Sequence, residues 1–205
     1  LYLGELDAGR SHALFLRDLT EKRNTPRLYA SNALISITSS SGLEGDRIVG
    51  REYRDRGPEI PPVTTMLIQP RVLLEDETGE STQGKVYLER LLESMSGAGL
   101  YKMLASTRGP VAIAAITRIT GIPDRLDIAE AAAEEVLSRQ SVPPNRAMHA
   151  NAGLALLAVR KGDRSAATEH YDYLVAQRGT MIETTSSVDR LLGLLSQTMG
   201  DLIQA

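Results

Sequence analysis

The sequence of 205 residues contains no cysteine and no tryptophan, and aromatic residues make up only 4% of it. Without cysteine the chain has no disulfide, no thiolate metal site and no cysteine nucleophile, and nothing in it indicates an oxidising compartment. Because aromatic residues are scarce while Ala, Leu and Ile recur, helix-on-helix packing is favoured over a β-sandwich.

A basic surplus and a long apolar run are also missing. The formal net charge is −3, whereas a nucleic-acid-binding domain usually carries an excess of Lys and Arg. No apolar run approaches the roughly 20 residues that span a bilayer, and the N-terminus lacks a charged leader followed by an apolar stretch. These absences predict a cytoplasmic protein that binds neither nucleic acid directly nor a membrane.

The sequence does contain a glycine that recurs at intervals of 41, 34, 42, 41 and 38 residues. Asp or Glu follows it at all positions but Gly121, and Gly or Ala stands five residues after it at the same positions. The recurring residues are Gly4, Gly45, Gly79, Gly121, Gly162 and Gly200. A period of this size is typical of stacked helix pairs, because one pair cannot bury its apolar face alone.

Each position of the repeat has a physical interpretation. Glycine can adopt the left-handed conformation that ends a helix, and the following carboxylate can stabilise the first turn of the next helix. The small residue then lets two helices approach closely. A tyrosine eight or nine residues past the glycine, as at Tyr53, Tyr87 and Tyr171, is expected to fill the space between neighbouring pairs.

Apolar spacing predicts helices separated by short turns. We expect them at about 3–23, 27–39, 46–56, 63–77, 82–95, 110–120, 124–140, 145–161, 163–177 and 186–199, with a loop at 178–185. The predicted fold is an all-α, right-handed solenoid of antiparallel helix pairs. It forms one domain over residues 1–205, with degenerate repeats in 1–100 and better-matching repeats in 109–205, and is expected to be a piece of a longer protein.

Leu154-Ala155 lies eight and seven residues before Gly162, and Leu192-Gly193 holds the same place before Gly200. With Ala167 five residues past the first of these turns, the pattern resembles the tetratricopeptide repeat. The intervals exceed that repeat's usual period in all cases but one, and the corresponding residues of the N-terminal half fit poorly.

Residues 150–205 are also similar to the helical-repeat regions of large bacterial regulators, through the stretches 152–155, 178–181 and 189–195. In that family an ATPase module and a long repeat region accompany an adenylate or guanylate cyclase or a helix-turn-helix module. The resemblance implies a regulatory interaction surface rather than catalysis.

Residues with catalytic or metal-binding potential do not form a recognisable motif. His12, His149 and His170 show no metal-binding spacing, and Glu169, His170 and Asp172 are predicted to lie on a solvated helix face. We therefore predict no enzyme activity and no catalytic, metal or cofactor site.

A concave groove lined by the first helix of each pair is the predicted binding surface, because it mixes polar anchors with an apolar floor. Its residues are His149, Ala152, Leu156, Arg160, Ser187, Arg190, Leu194 and Gln197. The expected partner is a protein, a peptide or another domain of the same polypeptide; the alternative is a small ligand whose binding controls an attached effector. Core packing is the competing interpretation for Leu156 and Leu194.

Arg47, Arg51 and Arg54 form a basic stripe at helical spacing, which could bind phosphate or an acidic peptide. Glu52 and Asp55 are interleaved with it, and a solvated charged face is the alternative.

The C-terminus suggests self-association through its last helix, or else a last helix that is displaced or poorly ordered. The pattern begins a further helix at Asp201 that is not completed, so Leu191, Leu192, Leu194 and Leu195 are expected to lack part of their cover.

Overall fold

The computed structural model describes residues 6–23, 36–37, 46, 48, 50, 52, 81–97, 102, 106–114, 125–182 and 186–201. Helix accounts for 83% of them, so the prediction of an all-α chain is confirmed. The elements are α1 (Leu6–Arg23), α2 (Ser81–Ser96), the helical segment 106–114, α3 (Leu126–Leu137), α4 (Pro144–Lys161), α5 (Arg164–Leu174), a 3₁₀ turn (Val175–Gln177), β1 (Met181–Ile182), β2 (Ser186–Ser187) and α6 (Val188–Met199).

The predicted bounds agree closely for α1, α2 and α4, and differ in two other places. The segment 106–114 is already helical at Ser106, upstream of the start predicted at Pro110. The predicted loop contains β1, which pairs antiparallel with β2, so Ser186 and Ser187 are extended instead of opening a helix. Ser187 is the N-cap of α6, and its hydroxyl accepts a hydrogen bond from the Arg190 N–H, which requires an extended backbone.

Two helices end at a glycine in the left-handed conformation, as the repeat predicts. Gly162 closes α4 with φ 67° and Gly200 closes α6 with φ 86°. The N–H of Asp163 donates to the Ala158 carbonyl at 3.0 Å, and the N–H one residue past Gly200 donates to the carbonyl five residues earlier at 2.9 Å. The two turns therefore share one capping geometry.

Asp163 also acts as the predicted N-cap of α5. Its carboxylate accepts hydrogen bonds from the N–H groups of Ser165 and Ala166, at 3.0 and 3.1 Å. The remaining recurring glycines, at positions 4, 45, 79 and 121, lie outside the described residues, as do most of the helices predicted within 27–77.

Helices α4, α5 and α6 all contact one another and share the largest apolar cluster of the described chain. Ala155 of α4 and Ala167 of α5 are both fully buried in it, so the small residue five positions after Gly162 lies where these helices pack together. Tyr171 packs against this cluster and Tyr87 against the neighbouring one.

The second cluster joins α2, the segment 106–114, α3 and α4. The segment lies very close to α4, because a Cβ added at Gly153 would come within 2.5 Å of the Pro110 Cβ. It lies equally close to α2, because a Cβ at Gly109 would meet the Met95 sulfur at 2.4 Å. Glycine is thus needed for space at position 153, where the rigid Pro110 is the neighbour, whereas at position 109 the flexible end of the Met95 side chain could shift.

The expectation that the leucines of α6 lack cover is wrong for three of the four. Leu191, Leu192 and Leu195 are at most 2% exposed, because they pack against α4 and α5 within the chain. Leu194 is half-buried. The uncovered leucines expected to drive self-association through this face are therefore absent at these three positions. None of the helices in the described ranges is long and apolar enough to cross a bilayer.

Candidate functional site

A cleft of about 380 Å³ opens between the C-terminal half of α2 and the helix α3. Its floor is apolar and its rim is polar. The lining residues are Leu92, Met95, Ser96, Lys102, Ser106, Asp127, Ile128, Ala131, Ala132 and Glu135.

The floor of the cleft belongs to the cluster that α2 and α3 share with the segment 106–114. Met95 and Ala132, which form part of the floor, belong to that cluster and are 6% and 8% exposed. Ile128 is 39% exposed at the rim of the cleft. Ala131, three residues further along α3, is exposed as well. Small alanine side chains on α3 leave the space open, where larger residues would fill it.

Ion pairs hold one end of the cleft. Lys102 Nζ lies 3.3 Å from Glu135 Oε2, and Arg139 contacts the other oxygen of that carboxylate at 3.2 Å. The hydrogen bond from Lys102 lowers the pKa of Glu135; burial opposes this effect, and Arg139 adds to it. Glu135 is therefore ionised at neutral pH, and its charge is matched by two cations.

A second ion pair bridges α2 and the start of α3. Arg125 Nη2 lies 2.6 Å from Glu89 Oε1, and this hydrogen bond lowers the pKa of Glu89. Arg125 precedes α3 with φ 63°, an uncommon conformation for a residue other than glycine. The same residue thus begins the helix and connects it to α2.

A buried polar pair joins α4 and α5. His170 Nδ1 lies 3.3 Å from Asn151 Oδ1, and Asn151 Nδ2 donates to the Ala147 carbonyl at 2.9 Å. Burial lowers the pKa of His170, and the neighbouring Glu169 carboxylate opposes this effect. The prediction that His170 lies on a solvated face is wrong: this residue is 8% exposed, while Glu169 and Asp172 are exposed as expected.

The eight residues predicted to line a concave groove fall into three groups by burial. Ala152 and His149 are buried, and His149 Nδ1 lies 2.6 Å from the Asn145 carbonyl oxygen. Half-buried positions are Leu156, Ser187 and Leu194; exposed ones are Arg160, Arg190 and Gln197. Only the exposed and half-buried members are accessible to a partner, and Leu156 also packs against both large clusters.

The basic stripe of Arg47, Arg51 and Arg54 lies outside the described residues. In the part of the chain that is described, no three His, Asp or Glu side chains come together in a group that could hold a metal ion.

Sequence reasoning did not identify the cleft. Its lining residues come from three separate stretches, and no spacing within any one of them indicates that they meet. One signal was available: α3 carries Asp127, Glu130, Glu134 and Glu135 without a single basic residue, around a run of alanines. Such a helix offers small apolar side chains beside negative charge.

Comparison of the chain with protein-family models, with curated proteins and with solved structures finds no match. The all-α class therefore follows from the helices themselves, and a proposal for function has to begin from the surface that those helices leave open.

Proposed function

We propose that this chain is a non-catalytic binding module, a right-handed solenoid of tetratricopeptide-like helix pairs that holds a protein or peptide partner or a neighbouring domain. The observation that carries the proposal is the open cleft between α2 and α3. Ile128 and Ala131 are exposed along this cleft, beside the buried Met95 and Ala132 of its floor. A recessed apolar surface with a charged rim is typical of peptide-binding grooves.

The solenoid part of the proposal is supported by the two equivalent turns at Gly162 and Gly200, which stand 38 residues apart and have the same hydrogen-bond pattern. A solenoid is elongated, so its radius of gyration should exceed the roughly 17 Å of a compact domain of this length. Small-angle X-ray scattering measures this directly. A radius of gyration of about 17 Å would contradict the solenoid but would leave the proposed binding function untested by this measurement.

The setting that we propose follows the sequence resemblance of residues 150–205: the regulatory region of a larger bacterial signalling or transcriptional protein. In that setting the bound partner or domain would control an attached effector. The partner is expected to use the exposed residues Arg160, Arg190 and Gln197 or the cleft.

A small-ligand sensor is the second candidate, and one observation favours it. A volume of about 380 Å³ falls within the range of small-molecule sites, which is roughly 300–1,000 Å³. Such sites enclose most of their ligand, however, and half of the lining residues here are exposed to solvent.

The binding function can be tested by selecting from a displayed library of helical peptides against the purified chain. We expect an enriched pool of peptides that bind at micromolar Kd and compete with one another for one site. If repeated selection enriches no peptide, while a panel of small molecules raises the melting temperature of the chain, the module is a ligand sensor instead.

A further inference from the structure

We propose that the cleft between α2 and α3 receives an amphipathic helix of a partner protein, with a Lys or Arg of that helix facing Asp127. This inference rests on the proposed binding function and adds to it the site and the chemistry of the partner. It follows from the shape of the cleft, from its length and from the charge along its rim.

The shape favours a helix over a small molecule. Ser96, Asp127, Ile128, Ala131 and Glu135 are all exposed, so the cleft is open along α3. A small molecule lying there would keep much of its surface in water, against the 70–90% burial that is usual in ligand sites. A helix would cover the opening with its own body while its apolar face meets the floor.

The dimensions fit two turns of a docked helix. Asp127 and Glu135 stand at the two ends of the lining of α3, and eight residues of helix rise about 12 Å. Apolar side chains spaced by three or four residues on the partner would meet Ala131 and Ala132. Met95 adds a flexible, polarizable side chain to the floor, which adapts to different apolar partners.

The charge at the Asp127 end of the rim favours a basic residue on the partner. Glu135 is matched by Lys102 and Arg139, and Glu130 by Lys161 Nζ at 2.7 Å. Asp127 forms no ion pair within the described part of the chain, although it lies on the rim of the cleft. The positive end of the helix dipole offsets roughly half a unit charge there, which leaves a negative field for a Lys or Arg to fill.

The site can be tested with the peptide pool selected against the whole chain. Ala131→Trp fills the cleft from an exposed position, so the fold should be kept, and circular dichroism checks it. Ala8→Trp on α1, where Ala8 is also exposed, is the matched control. We expect Ala131→Trp to weaken binding of the pool at least about tenfold and Ala8→Trp to leave it unchanged.

The charge preference is tested on the same pool. Sequencing should show Lys and Arg enriched over Asp and Glu. Asp127→Asn should weaken the selected peptides by about 2- to 5-fold and reduce the salt dependence of their Kd, as expected for an exposed ion pair. Glu134→Gln removes a carboxylate from the same helix outside the cleft and is the control.

The outcomes separate this inference from the proposed function. Peptides that bind Ala131→Trp normally but lose affinity for Arg190→Ala or Gln197→Ala would overturn the cleft as the site and keep the binding module. A pool that is sensitive to Ala131→Trp yet enriched in Asp and Glu would overturn the basic partner. If no pool emerges from the library, both proposals fail. A second copy of this chain as the occupant would appear as a dimer that Ala131→Trp dissociates, which also counts against the inference.

Discussion

Two regions of the molecule bury their apolar side chains in different ways: the region formed by α4, α5 and α6, and the region around α2 and α3. In the first, a Gly-Asp turn joins α4 to α5, and the three helices bury a continuous cluster around Ala155 and Ala167. In the second, α2 and α3 share a cluster with the segment 106–114, Arg125 pairs with Glu89 of α2, and Lys102 pairs with Glu135 of α3.

The difference shows where a binding surface can arise in a stack of helices. Tight turns and small residues let α4, α5 and α6 close on one another, which removes most of their apolar surface from water, although Tyr173 and Val175 stay 39% and 38% exposed. Helices α2 and α3 share a cluster with the segment 106–114 and α4, and a cleft stays open between them.

Leu195→Ala should have the largest effect on stability, because Leu195 is fully buried in the cluster shared by α4, α5 and α6. Removing a buried leucine side chain costs about 2–5 kcal/mol. Leu92→Ala, at a half-buried position beside the cleft, should cost less than about 2 kcal/mol. Urea unfolding of both variants measures the two costs, and equal values would break the contrast between the closed and the open region.

Gly153→Ala tests the contact between the regions. The added Cβ would lie 2.5 Å from the Pro110 Cβ and 3.3 Å from its carbonyl carbon, so α4 and the segment 106–114 must move apart. Overpacking of this kind costs about 1–3 kcal/mol. We expect a lower urea midpoint together with a change in the cleft, seen as weaker binding of the selected peptides. A variant with wild-type stability would show that the two elements are not in close contact.

Gly162→Ala tests the turn that closes the first region. No atom lies within 4 Å of the added Cβ, so the whole cost is that of the left-handed backbone, about 1–2 kcal/mol. Gly162→Asn should cost less, since Asn tolerates this conformation. Gly200→Ala should match Gly162→Ala if the two turns are equivalent units of a repeat; a difference of more than about 1 kcal/mol in their melting-derived stabilities would count against that equivalence.

His170 should make the α4–α5 pair sensitive to acid. Because burial lowers the pKa of His170 in the folded chain, the unfolded chain binds the proton more tightly. The stability that His170 contributes is therefore complete above the unfolded pKa of about 6.5 and declines as the pH falls below it. The urea midpoint should drop between pH 7.5 and pH 5.5, and His170→Gln should reduce the drop. His12→Gln, at an exposed position, is the control and should leave the drop unchanged.

Local features of the fold could be predicted from the sequence with some accuracy. Gly162 and Asp163 were recognisable because a left-handed cap and a capping carboxylate depend on neighbouring residues alone. Helix bounds of α1, α2 and α4 follow from apolar spacing for the same reason. The short pairing of β1 with β2 was missed, because two residues on each side give no periodic signal.

The candidate site was much less predictable. The burial of His170 depends on Asn151 from another helix, and the cover of Leu191 and Leu195 depends on how α6 sits against α4 and α5. Exposed Ala131 and buried Ala132 are adjacent and chemically identical, so only the arrangement of neighbouring helices distinguishes them.

By itself, then, the sequence determined the all-α class, the two left-handed glycine turns and the small residues that follow a turn, since each depends on backbone conformation and on near neighbours in the chain. The tertiary structure alone decided that α2 and α3 leave a cleft between them, that Lys102 meets Glu135, and that Ile128 stays exposed beside this cleft. These contacts join residues that are distant in sequence, and their energy depends on how whole helices pack together.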